Sequence, residues 1–313
     1  MDDRYVEVVD QVSFSINEAE VFGLAGESGC GKSVTALSVL RLLPMPASRI
    51  LSGEILFRGR DILKMSIEDM RALRGAEISM IFQEPFSALN PLQTIKRQLE
   101  ECYDYHPLQE KKGNLRGRIN TILRRVGFSD PGRILAAYPH ELSGGMLQRI
   151  VIAMALLLKP GLVIADEPTT ALDVTVQAQI MELLRELQKE SGTAILLITH
   201  NLNLIAQYAN RLAVMYAGRI VEENQVQDFI RHPQHPYTLG LLKALPNLAS
   251  KTELVPIPGQ VPQPSEFESG CRFRQRCGEA FDSCTAKPEL KECKPHHRVA
   301  CFLPEVGAGN RNE

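Results

Sequence analysis

Eight consecutive residues, Gly26-Glu-Ser-Gly-Cys-Gly-Lys-Ser33, carry the densest chemistry in this chain. Gly26, Gly29 and Gly31 let the backbone curl until its amides point inward, where they can hold phosphate oxygens. Lys32 brings a positive charge to the outer phosphates, and the Ser33 hydroxyl is a ligand suited to magnesium. The spacing is G-x-x-x-x-G-K-[ST] at every fixed position. Ser28, Cys30 and Val34, in the variable slots and at the exit, are counted with the loop as nucleotide contacts. The alternative is a glycine turn that happens to precede a helix. An apolar strand before the loop and a helical stretch after it argue against that reading. Such a loop speaks for a nucleoside triphosphate and leaves open what its energy drives.

Two carboxylates, Asp166 and Glu167, end the apolar run Leu162-Val-Ile-Ala-Asp166. A carboxylate at the C-terminal edge of a strand faces the crevice where open α/β sheets bind ligands. Asp166 is therefore expected to hold magnesium, and Glu167 to orient and polarise the water that attacks the γ-phosphate. A solvated acidic turn before Pro168 is the competing reading, and the upstream phosphate loop weighs against it. A second anion site is read at Leu142-Ser-Gly-Gly-Met-Leu-Gln148, which runs into the apolar helix Ile150 to Leu158. Ser143, Gly144 and Gly145 at a helix start expose unpaired amides and the positive end of the dipole. One nucleotide does not need two such loops in one chain. The physical solution is a dimer, each Ser-Gly-Gly turn covering the γ-phosphate held by the partner. An ordinary serine cap accounts for Ser143 but not for the paired glycines.

These residues need a scaffold, and the apolar pattern supplies one. Val21 to Ala25, Leu162 to Asp166 and Ala194 to Thr199 read as strands, the last two apolar on both faces as in a central parallel sheet. Val34 to Leu43 is expected to be helical and to stop at Pro44. Val176, Ile180, Leu183, Leu184 and Leu187 recur at helical spacing and mark a crossover helix. Strands alternating with helices give an α/β layered core. Arg211 to Met215 and Arg219 to Glu222 flank Tyr216-Ala-Gly218, which predicts a hairpin at a sheet edge. Residues 84 to 150 lack strand-like runs and are read as a mostly helical insertion.

Composition sets the remaining bounds. The chain has 313 residues, 44% hydrophobic and 23% charged, with 35 basic and 37 acidic side chains for a formal net charge of -2. A disordered or fibrous chain is excluded, and the charge balance does not favour a nucleic-acid partner. The longest apolar run, Ile150 to Leu158, falls short of the roughly 20 residues a membrane span needs. With no secretory leader in view, the chain reads as cytosolic. Five of seven cysteines and ten of nineteen prolines lie from Pro233 onward. Two domains are expected, 1–232 and 233–313.

Taken together, the motifs resemble those of the ATP-binding cassette (ABC) ATPases. Gly26 to Ser33, Leu142 to Gln148 and Ile164 to Glu167 look like that family's Walker A, signature and Walker B motifs. By the same resemblance, Gln83 after Ile78 to Phe82 stands as the Q-loop glutamine and a magnesium ligand, Ala171-Leu-Asp173 as the D-loop, and His200 as the switch histidine. The resemblance implies an ABC-type P-loop core with an inserted helical subdomain, ATP and magnesium as ligands, and Glu167, His200 and Gln83 as catalytic residues. Ile81 to Pro91, His235-Pro-Tyr-Thr238, Ile257-Pro-Gly259 and Gly270-Cys-Arg-Phe-x-x-Arg-Cys277 are similar to the ATPase subunits of dipeptide, oligopeptide and nickel importers. That narrower likeness implies a second, similar ATPase as heterodimer partner, two membrane permease subunits and, through them, an extracytoplasmic substrate-binding protein. It places the chain on the cytoplasmic face of the membrane. A peptide is the expected cargo, with nickel as the alternative. Two rivals are a soluble ABC ATPase of DNA repair or translation and a metal-sensing module with an inactive ATPase. Tyr5, the aromatic nearest the opening, is either an adenine-stacking residue or a structural one; the stretch before Val12-Ser-Phe14 is shorter than the family's opening leads one to expect.

Cys271, Cys277, Cys284 and Cys301 have spacings that match neither zinc ribbons nor ferredoxin runs. Four thiolates suit zinc or an iron–sulfur cluster, or they are free thiols. The resemblance favours a 4Fe-4S cluster on these four, with Cys293 spare. Any metal would serve as a staple, because a tail of low apolar content cannot build its own core.

Overall fold

The structure is a computed structural model that describes residues 5–106, 115–169, 172–244 and 256–303. Strands and helices are numbered along the chain, which divides into two units.

Residues 16–21 and 36–198 form one unit. Three parallel strands lie in the order β4 (Ile78–Ile81), β5 (Leu162–Asp166) and β6 (Ala194–Thr199), with Ile78 opposite Leu162 and Leu162 opposite Ala194. All of β4 and β6, and all of β5 after Leu162, is buried, which is why these segments read as unbroken apolar runs. Helix α8 (Val174–Ser191) connects β5 to β6 and buries Val176, Ile180, Leu183, Leu184 and Leu187, the stripe its sequence predicts. It stops at Gly192, whose φ of 67° suits a left-handed cap.

Between β4 and β5 the described residues are helical, as expected: α3 (Pro85–Ala88), α4 (Ile95–Asp104), α5 (Leu115–Arg125), α6 (Pro131–Ala136) and α7 (Gly144–Leu156). Residues 107–114 of the expected insertion lie outside the described residues. Helix α7 begins six residues before Ile150, because the Ser143 hydroxyl accepts the Met146 N–H at 3.4 Å and draws both glycines into the first turn. The helix after the phosphate loop, α1 (Lys32–Val39), is shorter than expected; the chain turns at Arg41, where φ is 50°. A small hairpin of β2 (Leu56–Phe57) and β3 (Arg60–Asp61) and helix α2 (Ile67–Leu73), capped by Ser66, complete the unit.

Residues up to 15, 22–35 and 199 onward form the other unit. Its strands run β1 (Val21–Ala25), β7 (Arg211–Tyr216), β8 (Arg219–Gln225), β10 (His297–Val299), β9 (Lys291–Lys294), with β1 parallel to β7 and the rest antiparallel. The β7–β8 hairpin turns on Ala217 and Gly218, at φ 44° and 82°. A Cβ on Gly218 would sit 2.3 Å from the Val8 carbonyl oxygen, so the turn needs glycine there. The hairpin was expected at a sheet edge. Instead β10 pairs with the outer side of β8, placing Arg298 opposite Glu223 and Val299 opposite Glu222. Three helices, α9 (Leu202–Tyr208), α10 (Val226–Arg231) and α11 (Pro236–Lys243), pack in the same unit. No helix among the described residues is long and apolar enough to cross a membrane.

Candidate nucleotide site

The phosphate loop joins the end of β1 to α1. Gly26, Gly29 and Gly31 have φ of 150°, 80° and 105°, the conformations their residue type was expected to supply. A Cβ on Gly26 would lie 2.2 Å from the Met215 carbonyl oxygen, and one on Gly31 would lie 2.8 Å from Met215 Cε. The inner limb of the loop is thus pressed against β7. A Cβ on Gly29 would meet nothing within 4 Å, so the outer limb is open on that side. Lys32 is buried, and its ammonium donates to the Gly26 carbonyl at 2.8 Å, the Glu27 carbonyl at 2.9 Å and Cys30 Sγ at 3.6 Å. A buried cation whose hydrogen-bond acceptors are all neutral keeps its attraction for an anion. The Thr35 hydroxyl donates to the Gly31 carbonyl at 3.0 Å and fixes the helix start. Burial pushes the Cys30 thiol up in pKa in spite of Lys32, so it stays a neutral packing group. Ser33 and Val34 are half-buried and Ser28 is exposed. Amides curled by glycine, an open mouth and a buried ammonium fit a phosphate chain.

The other predicted residues fall mainly in the first unit described. Asp166 is buried at the end of β5. Glu167 follows with φ of 49°, an uncommon conformation for a side-chain-bearing residue. Its N–H donates to the Ile198 carbonyl at 2.9 Å, so the last turn of backbone before the acid is pinned to the end of β6. Gln148, on α7, donates from Nε2 to the Pro168 carbonyl at 3.0 Å, with both residues buried. The structure thereby ties the Ser143–Gly145 helix to the residue after Glu167. Sequence reading placed Gln148 in a motif without giving it this task; a polar residue in an apolar helical stretch was the available signal. Gln83 is exposed just beyond β4, and Asp173 caps α8 by accepting the Val176 N–H at 2.9 Å. Ala171 of the expected D-loop lies outside the described residues. His200, exposed, belongs to the unit of the phosphate loop and follows β6; the next residue, Asn201, caps α9. The hydroxyl of Ser33, the amide of Gln83 and the carboxylate of Asp166 are hard oxygen donors, the chemistry magnesium takes. Tyr5 is 60% exposed and so is not a core aromatic.

The family model for ABC transporters matches residues 9–170, and that for the C-terminal region of oligopeptide/dipeptide transporters matches residues 221–284. The chain belongs to the ABC transporter ATPases. Curated relatives include a probable peptide ABC transporter ATP-binding protein of Sinorhizobium fredii, 47% identical over 93% of this chain and 88% of that protein. The dipeptide transport ATP-binding protein DppD of Bacillus subtilis is 46% identical over 97% of this chain and 91% of its own length. Among solved structures, the dimeric ATP-binding cassette MJ0796 bound to ADP and Pi is 26% identical, with a TM-score of 0.64 over 72% of this chain and 94% of that one. ABC ATPases hydrolyse ATP, and that is the activity of this chain.

For this ABC ATPase the expected 4Fe-4S cluster, and zinc with it, is a misreading of the tail. No group of three or more His, Cys, Asp or Glu among the described residues is placed to hold a metal ion, and the relatives named here are peptide ABC ATPases. Cys271, Cys277, Cys284 and Cys301 are free thiols. Burial raises the pKa of Cys271, Cys277 and Cys301, the last to about 11, which keeps them protonated at neutral pH. The tail is stapled by other means. Asp10 accepts from Arg219 at 2.7 Å, Lys287 at 3.0 Å and Arg272 at 3.4 Å. Glu222, fully buried, takes the His297 ring at 2.7 Å and the N–H groups of Gln234 and His235 at 2.8 and 2.9 Å. Burial would raise the Glu222 pKa, but these bonds together hold it below the usual carboxylate value. Tyr216, Tyr237 and Phe273 pack ring on ring at 4.7 to 5.3 Å between centroids.

Proposed function

We propose that this ABC ATPase is the ATP-binding subunit of a peptide importer, working at the cytoplasmic face of the membrane beneath partner permeases. The observation that carries the reading is a phosphate loop closed on a buried Lys32, in a chain whose tail matches a peptide-transporter family. Gly26 to Val34 bind the phosphates through backbone amides and the Lys32 ammonium. Ser33, Gln83 and Asp166 hold magnesium, which when bound neutralises phosphate charge. Glu167 orients the attacking water and takes its proton, while His200 and Gln83 complete the catalytic set. Ser143, Gly144 and Gly145, with Asp173, act on nucleotide held by a second, similar ATPase subunit, in a heterodimer. Two permease subunits and, through them, an extracytoplasmic binding protein complete the transporter. The extents 1–232 for the ATPase domain, with the helical insertion at 84–150, and 233–313 for the extension are part of the proposal.

The test is Glu167→Gln. The variant is expected to bind ATP while hydrolysing it about 10²- to 10⁴-fold more slowly, the worth of a positioned base, and to accumulate as a nucleotide-bound dimer on size-exclusion chromatography. Turnover at the wild-type rate would remove Glu167 from its role.

A further inference from the structure

ATP hydrolysis gives no task to the run Gly270-Cys-Arg-Phe-x-x-Arg-Cys277. In the structure its last arginine reaches into the phosphate loop. Arg276 donates from Nη1 to Glu27 Oε2 at 2.7 Å and from Nη2 to Glu27 Oε1 at 3.0 Å, a two-point pair. The guanidinium is held from its other sides by the Pro258 carbonyl at 2.7 Å, the Gly259 carbonyl at 3.3 Å and the Tyr216 hydroxyl at 3.4 Å. A second residue beyond the ATPase motifs holds the same loop position: the Tyr237 hydroxyl accepts the Glu27 N–H at 2.9 Å. Tyr237 is fully buried and cannot follow the loop if it moves.

Glu27 is a joint rather than a spectator in the loop. Its carbonyl accepts both the Lys32 ammonium at 2.9 Å and the Cys30 N–H at 3.4 Å. Whatever displaces Glu27 displaces the cation that meets the phosphates. The residues after it, Ser28 and Gly29, are exposed, and a Cβ on Gly29 would meet nothing within 4 Å, so the outer limb has little packing of its own beside this tether. Charge points the same way: an unpaired carboxylate in the loop would repel phosphate, and Arg276 neutralises it.

We propose that Arg276 and Tyr237 are positioning residues for the phosphate loop, holding Glu27 at its carboxylate and its amide so that the C-terminal extension sets nucleotide affinity. The proposal rests on Gly26–Ser33 being the ATP-binding loop. The test uses the full chain and two readouts: hydrogen exchange at the amides of residues 27–32 without nucleotide, and titration with a fluorescent ATP analogue plus magnesium. Arg276→Ala and Tyr237→Phe are expected to speed the exchange and weaken binding by about tenfold, the scale of one net hydrogen bond. In a Glu27→Gln background the further effect of Arg276→Ala shrinks. Arg274→Ala, which loses only its 3.5 Å pair with Glu268, changes neither readout. Wild-type exchange and affinity in both Arg276→Ala and Tyr237→Phe, or Arg276→Ala and Glu27→Gln effects that simply add, would overturn the tether. Should Arg276→Ala unfold the extension, Tyr237→Phe, which deletes one hydroxyl, decides. A wild-type chain that binds no nucleotide would sink the ATP reading instead, and the exchange comparison would still judge the tether.

Discussion

Removing Asp10 tests whether ion pairs do the work first assigned to a metal. Its side chain is 7% exposed, and the three cations on it come from the β7–β8 hairpin and from the tail on either side of Cys277. Deleting one partner of a buried ion pair costs about 3–5 kcal/mol, because the remaining charge stays buried and uncompensated. Here the cations keep some partners. Arg272 retains the Ala217 carbonyl at 2.6 Å and Glu7 at 3.2 Å, and Arg219 retains the Gly270 carbonyl at 2.8 Å. Lys287 is one-third exposed and can turn to water. The expected loss for Asp10→Ala is therefore at the low end, about 3 kcal/mol at pH 7.

Urea unfolding followed by tyrosine absorbance measures it, since Tyr216 and Tyr237 pack on Phe273, the residue after Arg272. The pH dependence supplies the control. Burial alone would raise the Asp10 pKa, but the bonds from Lys287 and Arg219 bring it below 3.8. A depressed carboxylate pKa gives stability that is full above the unfolded value and lost as pH falls through the folded one. The gap between wild type and Asp10→Asn is thus expected to be wide at pH 7 and to close below pH 3.8. Equal midpoints for wild type, Asp10→Ala and Asp10→Asn at pH 7 would refute the reasoning, as would a gap that persists unchanged into acid.

Two further expectations follow from single contacts. Gln148→Leu leaves the buried Pro168 carbonyl without its donor, which costs about 1–3 kcal/mol; ATPase assays should show a loss of turnover larger than the loss of nucleotide binding, because the strain falls beside Glu167. Burial raises Cys301 to about 11 and Cys102 to about 11, so alkylation by iodoacetamide at pH 8 should be slower at both than at an ordinary thiol and should climb as pH approaches 11, read site by site by mass spectrometry.

The strands that carry the site were legible because their neighbours on both faces are apolar. Val21–Ala25, Leu162–Asp166 and Ala194–Thr199 appear with the boundaries their sequence predicts. The α7 start was legible as well, because a serine before two glycines marks a helix start and Ser143 does cap it. The φ of 49° at Glu167 was not legible, because nothing in a glutamate's residue type calls for it. Glu27 gave no signal at all: it occupies a variable slot, and its partner lies 249 residues away.

The tail shows why counting cysteines misled. A segment poor in apolar side chains does need help to stay folded, and that premise survives. The help comes from outside the segment. Strand β8 reads Arg-Ile-Val-Glu-Glu-Asn-Gln, whose paired acids suggest a solvent edge, yet Glu222 and Glu223 are buried against His297, Arg298 and Arg211. Burying those carboxylates without partners would cost several kcal/mol each; Arg211 of β7 and, from the tail, Arg298 and the His297 ring supply them. The tail also pairs its arginines with Asp10, through Arg272, and with Glu27, through Arg276. Arg272 joins the segment before β1, and Arg276 the phosphate loop, to one short run between Cys271 and Cys277. What holds that run in place is thus its arginines on Asp10 and Glu27, not thiolates on a metal.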